Sequence, residues 1–334
     1  MSKTYIIAEG GLNHNGSLSK AKKIVDLAVK SNADAIKFQI FKTENLVTKN
    51  APKAEYQIKN TKNSGSQYEM LKKLQLSEND QKKLLIYVKS KKIEYLSTPM
   101  DEWGVDFLIK NKIKIIKIAS GDINNYPLLK KIAKFNLKII LSTGMSTLNE
   151  IKQAVNLLVK HGTNKSKISV LHCNTDYPTK EKDVNLNALK EIKKKLKINI
   201  GYSDHTLGFH VPIAAVALGA KIIEKHLTID KKFKGPDHIS SLDYKEFSLM
   251  VDLIRKTEIS LGKKNKFVTN SEKKNINIAR KSIVASKSIN KGEIFTEKNI
   301  TIKRPGLGIS PMKWNQILKK KAKKKFDKDD LISI

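Results

Sequence analysis

The chain has 334 residues, 40% of them hydrophobic and 29% charged. This length accommodates a large domain with a small one, and the composition excludes wholesale disorder. The formal net charge is +33, but the 65 basic residues include only three arginines, Arg255, Arg280 and Arg304. The lysines are spread along the whole chain without interleaved aromatic residues, which argues against a nucleic-acid-binding protein.

The single cysteine, Cys173, excludes an internal disulfide. No apolar run approaches the roughly 20 residues that span a bilayer, and the first residues show no signal-peptide pattern. We therefore expect a cytoplasmic protein without a membrane partner.

Short apolar segments rich in β-branched residues recur along the chain, separated by segments with helical spacing. The predicted strands lie at 5–11, 35–41, 93–99, 114–121, 137–144, 168–175, 198–205 and 220–228. Helical periodicity between them is clearest at 17–33 and 147–162. This alternation predicts parallel strands joined by crossovers, and eight such units in about 260 residues predict a closed (β/α)8 TIM barrel. An open doubly wound sheet is the alternative, but no GxGxxG turn follows the first strand.

The pattern changes after the eighth predicted strand. Residues 1–262 form the predicted barrel domain, and the polar, lysine-rich stretch 263–279 is predicted to be a linker. Residues 280–334 combine short strands with proline and glycine turns, which predicts a separate small β-rich domain.

Polar residues gather at the C-terminal ends of the predicted strands, where barrel enzymes build their active sites. Alternate residues of a barrel strand point inward, so charged residues there need a functional reason. The residues concerned are Glu9, Lys37, Gln39, Ser97, Thr98, Lys117, Ser120, Asp122, Ser142, Thr143, Asn174, Thr175, Tyr177, Ser203, His205, Glu224 and His226. An active site is therefore expected at this end of the barrel.

The consecutive residues Ser203, Asp204 and His205 have the composition of a hydrolase triad. On a strand, however, Ser203 and His205 share one face and Asp204 points to the other, which excludes a triad relay. His226 ends the next predicted strand, and two imidazoles at equivalent positions favour a site for one divalent metal. Either histidine alone would be interpreted as a hydrogen-bonded structural residue.

Lys37 and Lys117 are also predicted to lie inside the barrel mouth, where an unpaired ammonium group is costly. A phosphate or carboxylate would neutralise them, helped by the hydroxyl groups of neighbouring strand ends. A small dianionic substrate is therefore favoured. Two alternatives are a Schiff-base lysine, as in aldolases of this fold, and lysines that extend to the solvent at the rim.

These segments together resemble the sialic acid synthases, which condense phosphoenolpyruvate with an N-acetylated mannosamine-type sugar. The motifs that carry the resemblance are IIAEGGLNHNG (6–16), IKFQ (36–39), STP (97–99), KIASGDINNYPLL (117–129), LSTGM (141–145), LHCNTDYPT (171–179), GYSDHT (201–206), EKHLT (224–228) and GPDH (235–238). The stretch KRPGLGISP (303–311) is similar to part of the antifreeze-like (SAF) domain that ends these enzymes. The resemblance covers essentially the whole chain.

The resemblance implies a role for each matching residue. His205 and His226 would bind Mn²⁺, with Mg²⁺ or Co²⁺ as alternatives, and no nucleotide or redox cofactor is expected. The implied phosphoenolpyruvate pocket comprises Lys37, Thr98, Lys117, Ser120, Thr175 and Ser203, to which Thr143 is added from its strand-end position. The implied sugar-contacting set comprises Glu9, Gln39, Asp122, Tyr177 and Asp237, with Arg304 inserted over the sugar. Of these, Glu9 and Asp122 are the candidate catalytic residues for proton transfer, with Glu9 favoured. Because Arg304 would come from a partner subunit, the resemblance implies a domain-swapped homodimer.

Two residues depart from the family pattern: Gly10 stands where isoleucine is usual, and Asp122 stands where many members have glutamate. The stretch 51–77 resembles synthases that use 2,4-diacetamido-2,4,6-trideoxymannose and make N,N'-diacetyllegionaminate. N-acetylmannosamine, giving N-acetylneuraminate, is the sugar that the sequence slightly favours. The remaining alternatives are a Schiff-base pyruvate aldolase and a carbohydrate-binding or nucleic-acid-binding protein without catalysis.

Overall fold

The computed structural model describes residues 3–63 and 65–334. These residues form two compact units, with the boundary between Gly262 and Lys263. The first unit is a closed barrel in which each strand pairs with the next and the eighth pairs with the first. All eight pairings are parallel, so the (β/α)8 prediction is confirmed. The strands are β1 (Tyr5–Gly11), β2 (Ala35–Ile40), β3 (Glu94–Pro99), β4 (Ile115–Ile118), β5 (Lys138–Ser142), β6 (Ile168–His172), β7 (Asn199–Asp204) and β8 (Ile222–His226).

The helices of the first unit are α1 (Leu18–Lys30), α2 (Thr43–Leu46), α3 (Glu55–Thr61), α4 (Gln67–Leu74), α5 (Glu78–Ser90), α6 (Glu102–Lys110), α7 (Tyr126–Ala133), α8 (Leu148–Lys160), α9 (Ala188–Leu196), α10 (His210–Ala217) and α11 (Tyr244–Ser260). Those that pack on the outside of the barrel are α1 and α5 to α11, whereas the short helices α2, α3 and α4 lie in the segment between β2 and β3. The helices predicted at 17–33 and 147–162 begin one residue later because Ser17 and Thr147 serve as N-caps, each accepting a hydrogen bond from a backbone N–H of the first turn. Within the described residues, no helix is long and apolar enough to cross a membrane.

The barrel interior is divided into two layers along its axis. The layer nearer the N-terminal end is apolar and consists of Ile7, Ala35, Leu96, Ile115, Ile140, Leu171 and Ile222. The next inward-facing side chain lies two residues further along each strand and belongs to a second layer. The residues of this layer are Glu9, Lys37, Thr98, Lys117, Ser142, Cys173 and Glu224. With Ser203 of β7, these residues form what we call the polar ring. The apolar layer therefore closes the barrel beneath a layer of buried polar groups.

The second unit, Lys263–Ile334, has its own small core. The strands β9 (Ser282–Ala285) and β10 (Ile300–Lys303) pair antiparallel, and α14 (Trp314–Ile317) follows them. The core contains Ile283, Ala285, Ile289, Phe295, Ile300, Ile317, Ala322, Phe326 and Ile332. The stretch predicted as a linker contains two short helical turns, α12 (Asn270–Lys273) and α13 (Ile276–Ala279), and its residues are mostly exposed.

Candidate active site

A cavity of about 270 Å³ opens at the C-terminal end of the barrel, and the polar ring forms its floor. Most of the site residues predicted from the sequence line this cavity: Glu9, Lys37, Gln39, Thr98, Lys117, Ser120, Thr175, Tyr177, Ser203, His205, His226 and Asp237. They reach it from seven of the eight strands or from the loops that follow them, so residues far apart in sequence meet in one buried space.

Two predicted site residues of the first unit, Thr143 and Asp122, do not line this cavity. Thr143 is buried beside β5, where its hydroxyl donates to the carbonyl of Leu171 (2.9 Å). Asp122 ends a 3-10 turn, and its carboxylate accepts a hydrogen bond from Asn125 (3.0 Å). Arg304 belongs to the second unit, where its Nε donates to the carbonyl of Ala279 (3.1 Å).

Four charged side chains of the polar ring form a buried network. The Lys37 ammonium lies 2.8 Å from Glu9 and 3.8 Å from Glu224, and the Lys117 ammonium lies 3.6 Å from Glu224. All four side chains are at most 4% exposed. Ser203 donates a hydrogen bond to Glu224 (2.9 Å). The two lysines are therefore neutralised by two carboxylates rather than left unpaired, as buried charges require.

Burial and mutual attraction shift the pKa values of this network in different directions. Burial raises the pKa of Glu9 to about 7, although Lys37 opposes the shift. Burial would also raise the pKa of Glu224, but the charges of Lys117 and Lys37 outweigh it and lower that pKa. Burial likewise lowers the pKa of Lys117, whereas Glu224 and Glu9 keep the pKa of Lys37 raised despite burial. Glu9 is thus the carboxyl group of the network that can change protonation near neutral pH.

His205 and His226 lie side by side at the cavity, with ring centroids 5.4 Å apart. The Nδ1 of His205 contacts the carbonyl oxygen of Asn174, which can only accept, so Nδ1 carries the proton and Nε2 keeps a lone pair. The Nδ1 of His226 is buried and has no hydrogen-bond partner among the described residues. Burial lowers the pKa of His205 to about 4 and that of His226 well below its usual value, so both rings are neutral.

Two neutral imidazoles with available nitrogens fit a divalent transition metal. The carboxylate of Asp237 lies 3.9 Å from Nδ1 of His226, and burial raises the pKa of Asp237 to about 7. The described residues include no group of three or more His, Cys, Asp or Glu side chains arranged to hold a metal ion. The protein would therefore supply two nitrogen ligands and leave other positions to the substrate.

The neighbours of the histidines exclude the hydrolase triad, as the alternation of faces predicts. Ser203 donates to Glu224, and His205 contacts a backbone carbonyl instead of a carboxylate. Asp204 is fully buried and accepts its hydrogen bonds from Lys225, Thr206 and Tyr202. No proton relay connects the three consecutive residues.

Aromatic and amide side chains close one side of the cavity. The Tyr177 ring lies over His205 at a centroid distance of 4.1 Å, and the Tyr56 ring follows at 4.9 Å from Tyr177. Asn60 of α3 donates to the backbone carbonyls of Tyr177 (3.2 Å) and Pro236 (2.7 Å). The α3 segment is therefore tied to the loops after β6 and β8, which carry site residues.

The unusual Gly10 has a packing explanation. The register between β1 and β2 shifts between Glu9 and Gly11, which forms a bulge at Gly10. A Cβ atom at position 10 would lie 2.5 Å from the ring of Phe38, so the phenyl ring occupies the space that a side chain would need. Gly11 has a positive φ of 46°, which favours glycine at the second bulge position. The regular register before the bulge pairs Glu9 with Lys37, so the bulge begins directly after the residue that contributes to the cavity floor.

Sequence reasoning missed part of the cavity lining. The strand-end position of Glu224 does not by itself indicate a role, although Glu224 contacts both lysines. The signal was available, since Glu224 lies two residues after the inward-facing Ile222 and two before His226. The side chains contributed by the segment between β2 and β3 were not identified: Leu46, Val47, Tyr56, Gln57, Gln67 and Leu71. Their positions depend on tertiary packing of short helices, for which the sequence has no periodic signal.

The fold and the site define a (β/α)8-barrel protein whose cavity holds a buried network of two lysines and two carboxylates beside two neutral imidazoles. Comparison with known proteins agrees with this class. The family model for the NeuB family matches residues 24–266, and the SAF domain model matches residues 280–334. The chain belongs to the NeuB family and carries a C-terminal SAF domain.

Several named proteins are similar over nearly the whole chain. A Campylobacter jejuni protein named N,N'-diacetyllegionaminic acid synthase is 50% identical over 99% of both chains. A Legionella pneumophila protein of the same name is 42% identical over 94% of this chain and 89% of the relative. The human N-acetylneuraminate-9-phosphate synthase is 34% identical over 98% of this chain and 91% of the relative.

A solved structure is similar in both sequence and fold. The N-acetylneuraminic acid synthetase from Leptospira borgpetersenii, in complex with citrate, is 34% identical with a TM-score of 0.72, covering 82% of this chain and 90% of that one.

Proposed function

We propose that this protein condenses phosphoenolpyruvate with 2,4-diacetamido-2,4,6-trideoxymannose and water to give N,N'-diacetyllegionaminate and phosphate. The observation that carries the proposal is the buried network of Lys37, Lys117, Glu9 and Glu224 beside two neutral imidazoles in one cavity. The names of the relatives that are 50% and 42% identical support this sugar over N-acetylmannosamine, which the sequence alone slightly favoured.

Phosphoenolpyruvate carries a phosphate and a carboxylate, and the two buried lysines are suited to bind them. Lys37 and Lys117 would hold the substrate so that its C3 faces the aldehyde of the open-chain sugar, an effect of proximity. The hydroxyls of Thr98 and Ser120 line the same cavity and can donate to the anion. The Ser203 hydroxyl also lines it and would have to turn away from Glu224 to do so. Thr175 lines it as well, whereas Thr143 is directed to a backbone carbonyl and is left out of the proposed pocket.

His205 and His226 would hold a divalent metal, with Mn²⁺ as the preferred ion. When bound, the metal supplies Lewis-acid polarisation of the sugar aldehyde. The carbonyl of Asn174 orients the His205 ring. Tyr177 packs on the same ring and limits the access of water to it.

Glu9 is the proposed proton-transfer residue. Attack of C3 of phosphoenolpyruvate on the aldehyde creates an alkoxide that needs a proton, and attack of water at C2 releases one. The resulting tetrahedral species then loses phosphate by C–O cleavage. A carboxyl group with a pKa of about 7 can act in either direction near neutral pH. Asp122 is the weaker candidate because its carboxylate bonds Asn125 outside the cavity lining.

The choice of sugar is supported by an apolar wall, which we define as Leu46, Val47, Leu71 and Met100. These residues belong to a separate hydrophobic cluster below α2 and α4. C6 of the diacetamido sugar is a methyl group, whereas C6 of N-acetylmannosamine carries a hydroxyl group. An apolar wall cannot hydrogen-bond a hydroxyl, so burying one against it is unfavourable. Gln39, Tyr177 and Asp237 would provide the polar contacts to the sugar.

A panel of sugars with phosphate release as the readout tests the proposal directly. We expect kcat/KM for the diacetamido sugar to exceed that for N-acetylmannosamine by at least about 10-fold. A preference for N-acetylmannosamine would mean that the product is N-acetylneuraminate. Covalent trapping with borohydride and pyruvate, without any phosphate release, would assign the Schiff-base aldolase instead.

Changing Val47 to threonine should reduce the preference of the enzyme for the diacetamido sugar over N-acetylmannosamine. The substitution keeps the side-chain shape but places a hydroxyl in the apolar wall, which makes the wall less favourable for a methyl group. We expect the kcat/KM ratio of the two sugars to fall about 5-fold. Val159→Thr, a matched change on the outer face of α8, should leave the ratio unchanged. An unaltered ratio in the Val47 variant would remove the apolar wall from sugar selection.

The role of the SAF domain is also part of the proposal. Arg304 would contact the sugar from the partner subunit of a homodimer, as the resemblance implies. Arg304 precedes a proline and a glycine in an exposed turn after β10, a position from which a long cationic side chain can reach a ligand. The proposed partners are therefore the two substrates and a second copy of this chain.

A further inference from the structure

A buried ion pair lies directly behind the two histidines. Asp204 and Lys225 are both fully buried, and they occupy paired register positions on β7 and β8. They are the last residue pair between β7 and β8. His205 directly follows Asp204 in the chain, and His226 directly follows Lys225. Neither residue lines the cavity, and the proposed reaction assigns no step to either.

The pair is the centre of a dense set of hydrogen bonds. The Asp204 carboxylate accepts from Lys225 Nζ (2.6 Å), Tyr202 OH (3.2 Å), and both the N–H (3.1 Å) and the hydroxyl (2.9 Å) of Thr206. The Lys225 ammonium also donates to the carbonyl of Thr206 (2.5 Å). Because Asp204 and Thr206 flank His205 in the chain, both neighbours of that histidine are bonded to a side chain of β8.

Stability alone does not account for this arrangement. Burying a lysine completely is unfavourable, and burial lowers the pKa of Lys225. Apolar residues of similar volume are often at least as stabilising as a buried ion pair. A charged pair differs from an apolar pair in that it has one favourable geometry, so it fixes the relative position of the segments that carry it. Here it extends the coupling of β7 and β8 beyond the end of their backbone ladder.

We propose that Asp204 and Lys225, together with Thr206, are positioning residues that fix the separation of the His205 and His226 imidazoles so that both can bind one metal ion. This inference rests on the proposed function of the two histidines as metal ligands. It gives Asp204 a role that differs from the triad its sequence neighbours suggest. Removing the pair should therefore weaken metal binding more than it weakens the fold.

The double variant Asp204→Asn/Lys225→Met tests the inference because it removes both charges and leaves neither unpaired. Binding of Mn²⁺ to the full-length protein without substrate is measured by electron paramagnetic resonance, and the absorption spectrum of bound Co²⁺ reports the coordination geometry. We expect at least about 10-fold weaker Mn²⁺ binding and a changed Co²⁺ spectrum. The thermal midpoint should shift by only a few degrees.

Arg255→Met is the matched control. Arg255 forms an ion pair with Asp34 (2.9 Å) at the opposite, N-terminal end of the barrel. This control should lower the thermal midpoint and leave Mn²⁺ affinity within about twofold of the parent. Thr206→Val, which replaces the hydroxyl at nearly constant shape, serves if the double variant does not fold, and it should weaken Mn²⁺ binding about threefold.

The outcomes separate this inference from the proposed function. Parent affinity and an unchanged Co²⁺ spectrum in the double variant, or in Thr206→Val if only that variant folds, would overturn the positioning role while the metal site stands. A parent protein that binds no Mn²⁺ would overturn the proposed metal ligands, and the positioning role with them.

Discussion

Replacing His205 with alanine is expected to lower kcat by about 10³, because the proposed metal would lose one of its two protein ligands. Lewis-acid polarisation supplies several kcal/mol of transition-state stabilisation, and about 4 kcal/mol corresponds to this factor. The remaining imidazole, that of His226, cannot retain the ion at ordinary concentrations. The measurement is phosphate release at saturating concentrations of both substrates and Mn²⁺, together with Mn²⁺ affinity measured without substrate.

A partly buried histidine outside the cavity provides the control for this substitution. His172 lies on β6, outside the cavity lining, and its Nε2 contacts the carbonyl of Val184 (2.8 Å). His172→Asn should lower the thermal midpoint but keep kcat within about twofold of the parent. The metal assignment fails if His205→Ala, freed of metal by a chelator, turns over at the parent rate.

The barrel and most of its polar ring could be predicted because both follow from regular patterns: the alternation of strands with helices, and the two-residue periodicity within each strand. Each strand alternates inward and outward residues, so an apolar inward residue such as Ile115 identifies the next inward residue, Lys117, two positions later. The same rule explains why Thr143, which was predicted to belong to the phosphoenolpyruvate pocket, does not line the cavity. Ser142 faces inward on β5, so its neighbour Thr143 must face the other way, where it bonds the carbonyl of Leu171. The alternation of faces therefore excludes Thr143 from the pocket.

Other features of the site could not be derived from local patterns. The strand predicted at 114–121 ends at Ile118, because Ser120–Asp122 forms a 3-10 turn that carries the Asp122 carboxylate away from the cavity lining. Three residues of the apolar wall, Leu46, Val47 and Leu71, come from the segment between β2 and β3, whose placement depends on contacts with residues far away in sequence. The protonation of His205 depends on the carbonyl of Asn174, on a different loop. Such features arise from tertiary packing, which a single sequence does not encode as a repeat.

Replacing Glu9 with glutamine is expected to lower kcat by about 10² to 10⁴, the range for loss of a general acid–base group. Glutamine keeps the size and most of the hydrogen-bonding capacity of the side chain but cannot transfer the proton. If the carboxylate form is active, kcat of the parent rises with pH through about 7, the pKa of Glu9. That rise should be absent in Glu9→Gln, and a full pH profile of kcat for both proteins measures it.

Asp237 provides the control, because burial raises its pKa to about 7 as well. Asp237→Asn should raise the KM for the sugar and keep the pH dependence of kcat, since Asp237 is proposed to bind the sugar. A kcat profile that loses its rise near pH 7 in Asp237→Asn but keeps it in Glu9→Gln would transfer the proton-transfer role to Asp237.

The same raised pKa has a consequence for stability that is independent of catalysis. An unfolded glutamic acid has a pKa near 4.5, whereas that of Glu9 in the fold is about 7. Between these values the folded protein binds a proton that the unfolded chain has released, so the free energy of unfolding falls as the pH rises from about 4.5 to 7. The full change is on the order of 3 kcal/mol. Asp237, whose pKa is also raised to about 7, contributes a similar loss to both proteins. Denaturant unfolding at pH 5 and pH 8 should therefore show a larger loss in the parent than in Glu9→Gln, by on the order of 3 kcal/mol. Equal losses in the two proteins would mean that Glu9 ionises as easily in the fold as in water.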